Sequence, residues 1–285
     1  FYGRKVLEEF VKAGAPEEII YVSKPHIGTF RLVKMVENIR HNIVELGGEI
    51  RFEAKVDKLL REDGQVVGVQ LADGERLMSR HVVLAVGHSA RDTFQMLHEA
   101  GVYIEAKPFA IGFRVEHPQA LIDHARFGPN AGNETLGAAD YKLVYHAKNG
   151  RAVYSFCMCP GGYVVGAASE TGSVVTNGMS EYARDGQNSN AALLVGITPE
   201  DFGSAHPLAG IAFQRKIERA AFEAGGGAYS APCQRVGDLL ENRATTALNG
   251  SVQPTYRPGV VPGDLRDVLP DYICDSMAEG IRRMG

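Results

Sequence analysis

At 285 residues, with 45% hydrophobic and 22% charged side chains, the chain is long enough for one large or two ordinary globular domains, each with its own core. A formal net charge of −4 offers nucleic acid no general attraction, and no stretch of about 18 apolar residues is present to span a bilayer. Four cysteines and no visible signal peptide point to reduced thiols in a cytoplasm.

In chain order, the spacing of Val6, Leu7, Phe10 and Val11 predicts a helix from about Gly3 to Ala13, ended by Gly14 and Pro16. Ile19 to Val22 read as a brief strand, and a loop from Lys24 to Thr29 follows with a proline, His26 and Gly28. Leu32, Val33, Val36, Ile39, Ile43 and Leu46, at spacings of mostly three and four, predict a helix over 30–46 that stops at Gly47-Gly48. The period then switches to two around Ile50, Phe52 and Ala54. Asp63-Gly64 and Asp73-Gly74 are turn dipeptides, so a meander is expected from Lys55 to Ser79.

Val82 to Val86 is an unbroken apolar run, the pattern of a parallel strand covered on both faces. Ser89 is placed to cap a helix from Ala90 to about Ala100. In α/β sheets ligands bind outside the carboxyl ends of strands, which makes Gly87, His88 and Ser89 the approach to a nucleotide.

Beyond Tyr103 the pattern changes. Phe109, Ile111, Phe113 and Val115 alternate with Ala110, Gly112, Arg114 and Glu116, predicting a strand with Arg114 and Glu116 on one face. Pro118 ends it and begins a helix over 119–125. Segments 142–147 and 151–156 flank Asn149-Gly150 and form a hairpin that runs into Cys157-Met158-Cys159-Pro160-Gly161-Gly162. This is expected as an exposed turn. Further strands are predicted over 163–167 and 173–176 about a Glu170-Thr171-Gly172 turn, with another turn at Asn177-Gly178. Amphipathic helices are predicted over 207–224 and 234–242, then a long loop over 244–263 and a final helix interrupted at Pro270.

The phrases KPHIGT, AVGHSARDTF, KPFAIGFRVEHPQ, YSFCMCPGG, SETGSVVTNGMS and PLAGIAFQRKIE extend from Lys24 to about Glu218. With them the chain resembles the two-dinucleotide-binding-fold flavoproteins, and more closely a bacterial family of FAD-dependent dehydrogenases, or NAD(P)/FAD-dependent oxidoreductases. The resemblance implies an α/β fold, α+β in its second part: an incomplete Rossmann-like FAD-binding domain over 1–106 and a mixed sheet and helix substrate or cap domain over 107–285. It implies an FAD-dependent oxidoreductase, with NAD(P)H a possible electron donor and an unidentified small-molecule substrate. Neither nucleic acid nor membrane is an expected partner, and the oligomeric state is open. The family's Gly-x-Gly-x-x-Gly turn is missing from this sequence, as is its glycine-rich closing segment, so the expectation is a piece of a longer protein that by itself lacks tight FAD binding.

By the same resemblance Val56 approaches the adenosine through its backbone, and Ala85, Gly87 and His88 line the dinucleotide, with Ser89 beside them. Cys157 and Cys159 are candidate redox or nucleophilic thiols or simply structural cysteines; Cys233 and Cys274 have no partner at metal-ligand spacing, and no metal site is expected. His26 and His88 could move a proton near neutral pH or serve as loop residues. Lys24 and Arg114 could hold an anion or be ordinary surface cations. Glu170, Asn177 and Ser180 line a site or form turns. An RNA-modifying flavoprotein and a non-catalytic flavin-binding scaffold are the competing readings.

Overall fold

The computed structural model describes residues 2–23 and 25–284, which form two compact units. Of the described residues, the first takes up 2–23, 25–41, 108–198 and 215–284, and the second 42–107 and 199–214.

Helix α1 (Tyr2–Lys12) and helix α2 (Thr29–Glu45) contribute Leu7, Phe10, Val11, Met35 and Ile39 to a small core that also holds Ala13, Ala15 and Ile19. Asn38 of α2 ties the two together by donating to the carbonyl of Ala13 at 2.8 Å. Ile19 and its neighbours are not a strand but a 3-10 turn, Glu17–Ile20, because Pro16 at its N-cap and the apolar cluster together favour one tight turn that buries Ile19. The apolar stripe of α2 is only partly used: Leu32, Val33, Val36, Ile43 and Leu46 stay exposed.

The second unit holds the expected meander, β1 (Val56–Glu62), β2 (Gln65–Leu71) and β3 (Arg76–Met78), antiparallel in the order β1-β2-β3. Asp63 and Gly64 both have positive φ, 47° and 78°, as a two-residue hairpin turn of this hand requires. Helix α3 (Arg91–Glu99) packs against β1 and buries Leu97. Two expectations fail here. Residues 49–55 are irregular, with Phe52 exposed, and Val82–Val86 is not a strand. A parallel strand exists only through its neighbours, and among the described residues none pairs with this run, so Val83, Leu84 and Val86 are exposed.

The body of the first unit is a four-stranded antiparallel sheet in the order β4-β9-β6-β5, made of β4 (Phe109–Pro118), β5 (Val144–His146), β6 (Ala152–Cys159) and the central β9 (Asn188–Ile197). A separate hairpin pairs β7 (Tyr163–Gly166) with β8 (Thr176–Met179). Helix α4 (Gln119–Phe127) follows β4 directly, with Pro118 as N-cap. Helix α5 (Ala209–Ala224), strand β10 (Ala231–Cys233) and the short helix α6 (Val236–Leu240) lead to β11 (Val260–Pro262), which pairs in parallel with β10 inside the segment expected to be loop. Helix α7 (Asp271–Met284) follows Pro270 and packs on β5, β6 and β9.

Strand alternation divides the sheet into two faces. One carries Val153, Val195 and Ile197 and is sealed by α7, whose Ile273, Cys274 and Met277 are fully buried. The other carries Arg114, Glu116, Asn190 and Ala192, and is overlain at one end by the β7–β8 hairpin.

Candidate functional site

The site is built on that second face. Arg114 stands opposite Ala192, and Glu116 opposite Asn190, which is opposite Cys159 on the other side. A register shift between Phe156 and Cys159 marks a bulge, within which Cys157 takes the left-handed region at φ 44°. Cys157 and Cys159 therefore sit in a bulged strand end rather than in a free turn. The bulge aims the Cys157 carbonyl at Arg114, whose Nη1 donates to it at 3.2 Å and to Asn190 Oδ1 at 2.5 Å, while Nη2 donates to Asn177 Oδ1 at 3.3 Å. The Cys159 sulfur lies 4.0 Å from Nη1.

Asn177 and Gly178 lie within β8, opposite Val165 and Val164, not in a turn. The reason is close packing: a Cβ on Gly178 would overlap both the Arg114 guanidinium and the Asn190 amide. Glu116 is held by Thr255, which donates from Oγ1 at 2.5 Å and from its backbone N–H at 3.2 Å, and by Asn188 Nδ2 at 3.4 Å.

The turn after β6 joins this cluster to the N-terminal loop. Ser180 Oγ donates to the Pro160 carbonyl at 2.8 Å, and Gly161 N–H donates to the buried Gln119 amide oxygen at 2.9 Å. Thr29 Oγ1 donates to the Ser180 carbonyl at 3.3 Å, His26 Nε2 lies 3.1 Å from the Glu181 carbonyl, and the His26 and Tyr182 rings stack. Segments 25–29, 157–162 and 177–182, well separated in sequence, thus meet. Lys24 lies outside the described residues.

Glu170 is elsewhere, in a bidentate ion pair with Arg215 at 2.6 Å, which secures the β7–β8 connection to α5. In the second unit Val56 opens β1 opposite Leu71. Ala85, Gly87, His88 and Ser89 form an exposed segment with Gly87 at φ 68°. Ser89 does not cap α3, since its hydroxyl lies 3.3 Å from His88 Nδ1 and Ala90 occupies the N-cap. Asp92 pairs with Lys55 at 2.7 Å. Among the described residues no three His, Cys, Asp or Glu side chains converge as metal ligands, and no helix is long and apolar enough to cross a membrane.

Two groups that the local sequence did not reveal are His117 and Tyr141. On the face of the sheet opposite to Arg114, His117 Nε2 lies 2.8 Å from the Tyr141 hydroxyl and Nδ1 lies 2.9 Å from the hydroxyl of fully buried Ser189. The pairing of β4 with β9, distant in sequence, sets His117 opposite Ser189. Burial pushes Tyr141 up to about 12 and holds the His117 ring below its ordinary value, and burial does the same to His26. An imidazole with a depressed folded-state pKa keeps its stabilising contribution above the unfolded value of about 6.5 and loses it as pH falls through the folded value. The unfolding free energy is therefore expected to decline as pH is lowered below about 6.5, with a shallower decline in His117→Gln. Urea midpoints measured across that range check this.

Burial likewise raises the Cys159 thiol, with the Arg114 charge pulling in the opposite direction. Exposed Cys157 is expected to be alkylated by iodoacetamide before Cys159, and Arg114→Gln to slow Cys159 further by removing that charge. Mass spectrometry of the two peptides distinguishes them.

Residues 108–285 match the family model described as FAD-dependent protein, C-terminal domain-like, and residues 16–189 match the model described as FAD dependent oxidoreductase. A relative from Clostridium beijerinckii, named only as an uncharacterized protein, is 50% identical over 277 residues, which cover 97% of this chain and 52% of the relative. The chain thus spans about half the length of the curated relative it matches. It belongs to the family of FAD-dependent oxidoreductases.

The family implies FAD, and the residues present fit part of that group. Exposed backbone from Ala85 to Ser89, outside any sheet, suits contact along the flank of a dinucleotide. The family's Gly-x-Gly-x-x-Gly turn, which cradles a pyrophosphate at a helix N-terminus, does not occur among the described residues.

Proposed function

We propose that this chain is the flavin-flanking and substrate-orienting portion of an FAD-dependent oxidoreductase. The observation that carries the reading is the meeting of segments 25–29, 157–162 and 177–182 beside Arg114, which gathers in one place three of the phrases on which the family resemblance rests. FAD supplies the redox chemistry when bound, so the protein's own contribution is positioning and electrostatics. Val56, Ala85, Gly87, His88 and Ser89 flank the dinucleotide in this reading. Arg114, Asn177 and Asn190 orient the molecule that exchanges electrons, His26 is a neutral imidazole available to hold a proton, and NAD(P)H is the candidate electron donor. Glu170, committed to Arg215, has a structural task instead.

The test is cofactor analysis of the complete protein. Acid-released supernatant is expected to contain FAD in near-equal proportion to polypeptide, and apoprotein to recover it on incubation with FAD. Protein that neither releases nor takes up FAD would overturn the reading.

A further inference from the structure

Arg114 presents an imbalance that packing alone does not explain. Its guanidinium carries five N–H groups and a fixed positive charge. Every oxygen that it meets among the described residues is neutral: the Cys157 carbonyl and the Asn190 and Asn177 amides. The carboxylate nearest in strand order, Glu116, is committed to Thr255 and Asn188. Arg114 thus has no ion-pair partner among the described residues, and no oxygen accepts from its Nε. Three neutral acceptors fix one end of the plane and leave Nε–H and one remaining Nη2–H, the pair with which arginine takes an oxyanion side-on.

The surroundings point the same way. Asn177 and Cys157 are exposed and Arg114 itself is half-buried, whereas Asn190 is fully buried and its Nδ2 has no partner. Gly178 has no side chain to cover the group. Elsewhere, comparable charges are already matched: Arg266 lines a small cavity with Leu239 and Ala278 but is paired with Asp275 at 2.8 Å.

We infer that Arg114 is the anchor of a carboxylate-binding site at the junction of β4, β8 and the Cys157 bulge, and that the substrate is an organic acid. One guanidinium, with only neutral amides beside it, balances one negative charge. That favours a carboxylate over a phosphate dianion. That the ligand is the substrate rests on the reading proposed above; that the site takes a carboxylate does not.

Isothermal titration calorimetry of the complete protein with sodium propionate, at constant ionic strength and with sodium chloride and inorganic phosphate as comparisons, tests this. Saturable propionate binding is expected, at least tenfold weaker in Arg114→Lys, which keeps the charge and loses the fork. Asn177→Asp places a carboxylate where the amide oxygen now accepts from Nη2, so it should abolish propionate binding while leaving thermal unfolding unchanged or raised. No saturable binding by the wild-type protein, tighter binding of phosphate than of propionate, or full binding by a folded Asn177→Asp would each overturn the inference. The flavin spectrum of the same samples separates the two claims. A colourless protein that binds propionate through Arg114 sinks the oxidoreductase reading alone, and a yellow protein that does not bind it sinks the carboxylate site alone.

Discussion

Gly178→Ala is expected to destabilise the protein by about 1–3 kcal/mol through overpacking and to lower kcat/KM by roughly ten- to a hundredfold through misplacement of Arg114. The added methyl would fall on the Arg114 guanidinium and the Asn190 amide. Asn190 is fully enclosed and cannot yield, so Arg114 must leave its three acceptors. Gly196→Ala is the matched control, since it lies on the same face of the sheet with open space where its methyl would go. Steady-state rates and urea midpoints of the two variants should differ sharply. Equal behaviour would remove the close-packing argument.

The second large effect lies on the other face. Met277 is 0% exposed where α7 crosses the sheet, among Ile273, Val153 and Val195, which are equally enclosed. Met277→Ala is expected to cost about 2–5 kcal/mol, because the cavity left behind adds to the lost transfer energy. That is a large share of a domain stability of about 5–15 kcal/mol. The urea midpoint should fall with little change in slope. Val36→Ala on α2, where the side chain is 55% exposed, should change stability by no more than about 0.5 kcal/mol.

Elements whose pattern is purely local were legible in the sequence. Phe109 to Glu116 alternates because the two faces of β4 meet different surroundings, and the structure keeps that division, with Arg114 and Glu116 together. Asp63-Gly64 and Asn149-Gly150 mark hairpins because few other residues adopt those turns. Where a second segment decides the outcome, local reading fails. Val82–Val86 has the composition of a covered strand, but a strand is defined by the partner beside it. The stripe on α2 has helical period, yet only Met35 is fully buried, since period identifies the element and not what covers it.

The candidate site divides in the same way. Arg114, Asn177 and Cys159 could be singled out as residue types, but their common location depends on pairings that span dozens of residues. Asn190 is not legible locally, because an asparagine within an apolar strand carries no signal until Arg114 and Gly178 enclose it. Asn177-Gly178 imitates a turn for the same reason: glycine can be required by a neighbour's proximity as well as by backbone conformation. Glu170 reads as a site carboxylate until Arg215 on α5 is placed beside it.

The most direct test is anaerobic reduction of the complete protein, followed through its visible flavin absorption, in wild type and in Arg114→Gln. The predicted result is bleaching on addition of NADPH, NADH or an organic-acid donor, and recovery on admitting oxygen or another acceptor. With an organic-acid donor, the variant should need at least tenfold more for half-maximal bleaching. A colourless protein that gains no flavin absorption on adding FAD would contradict the account at its centre.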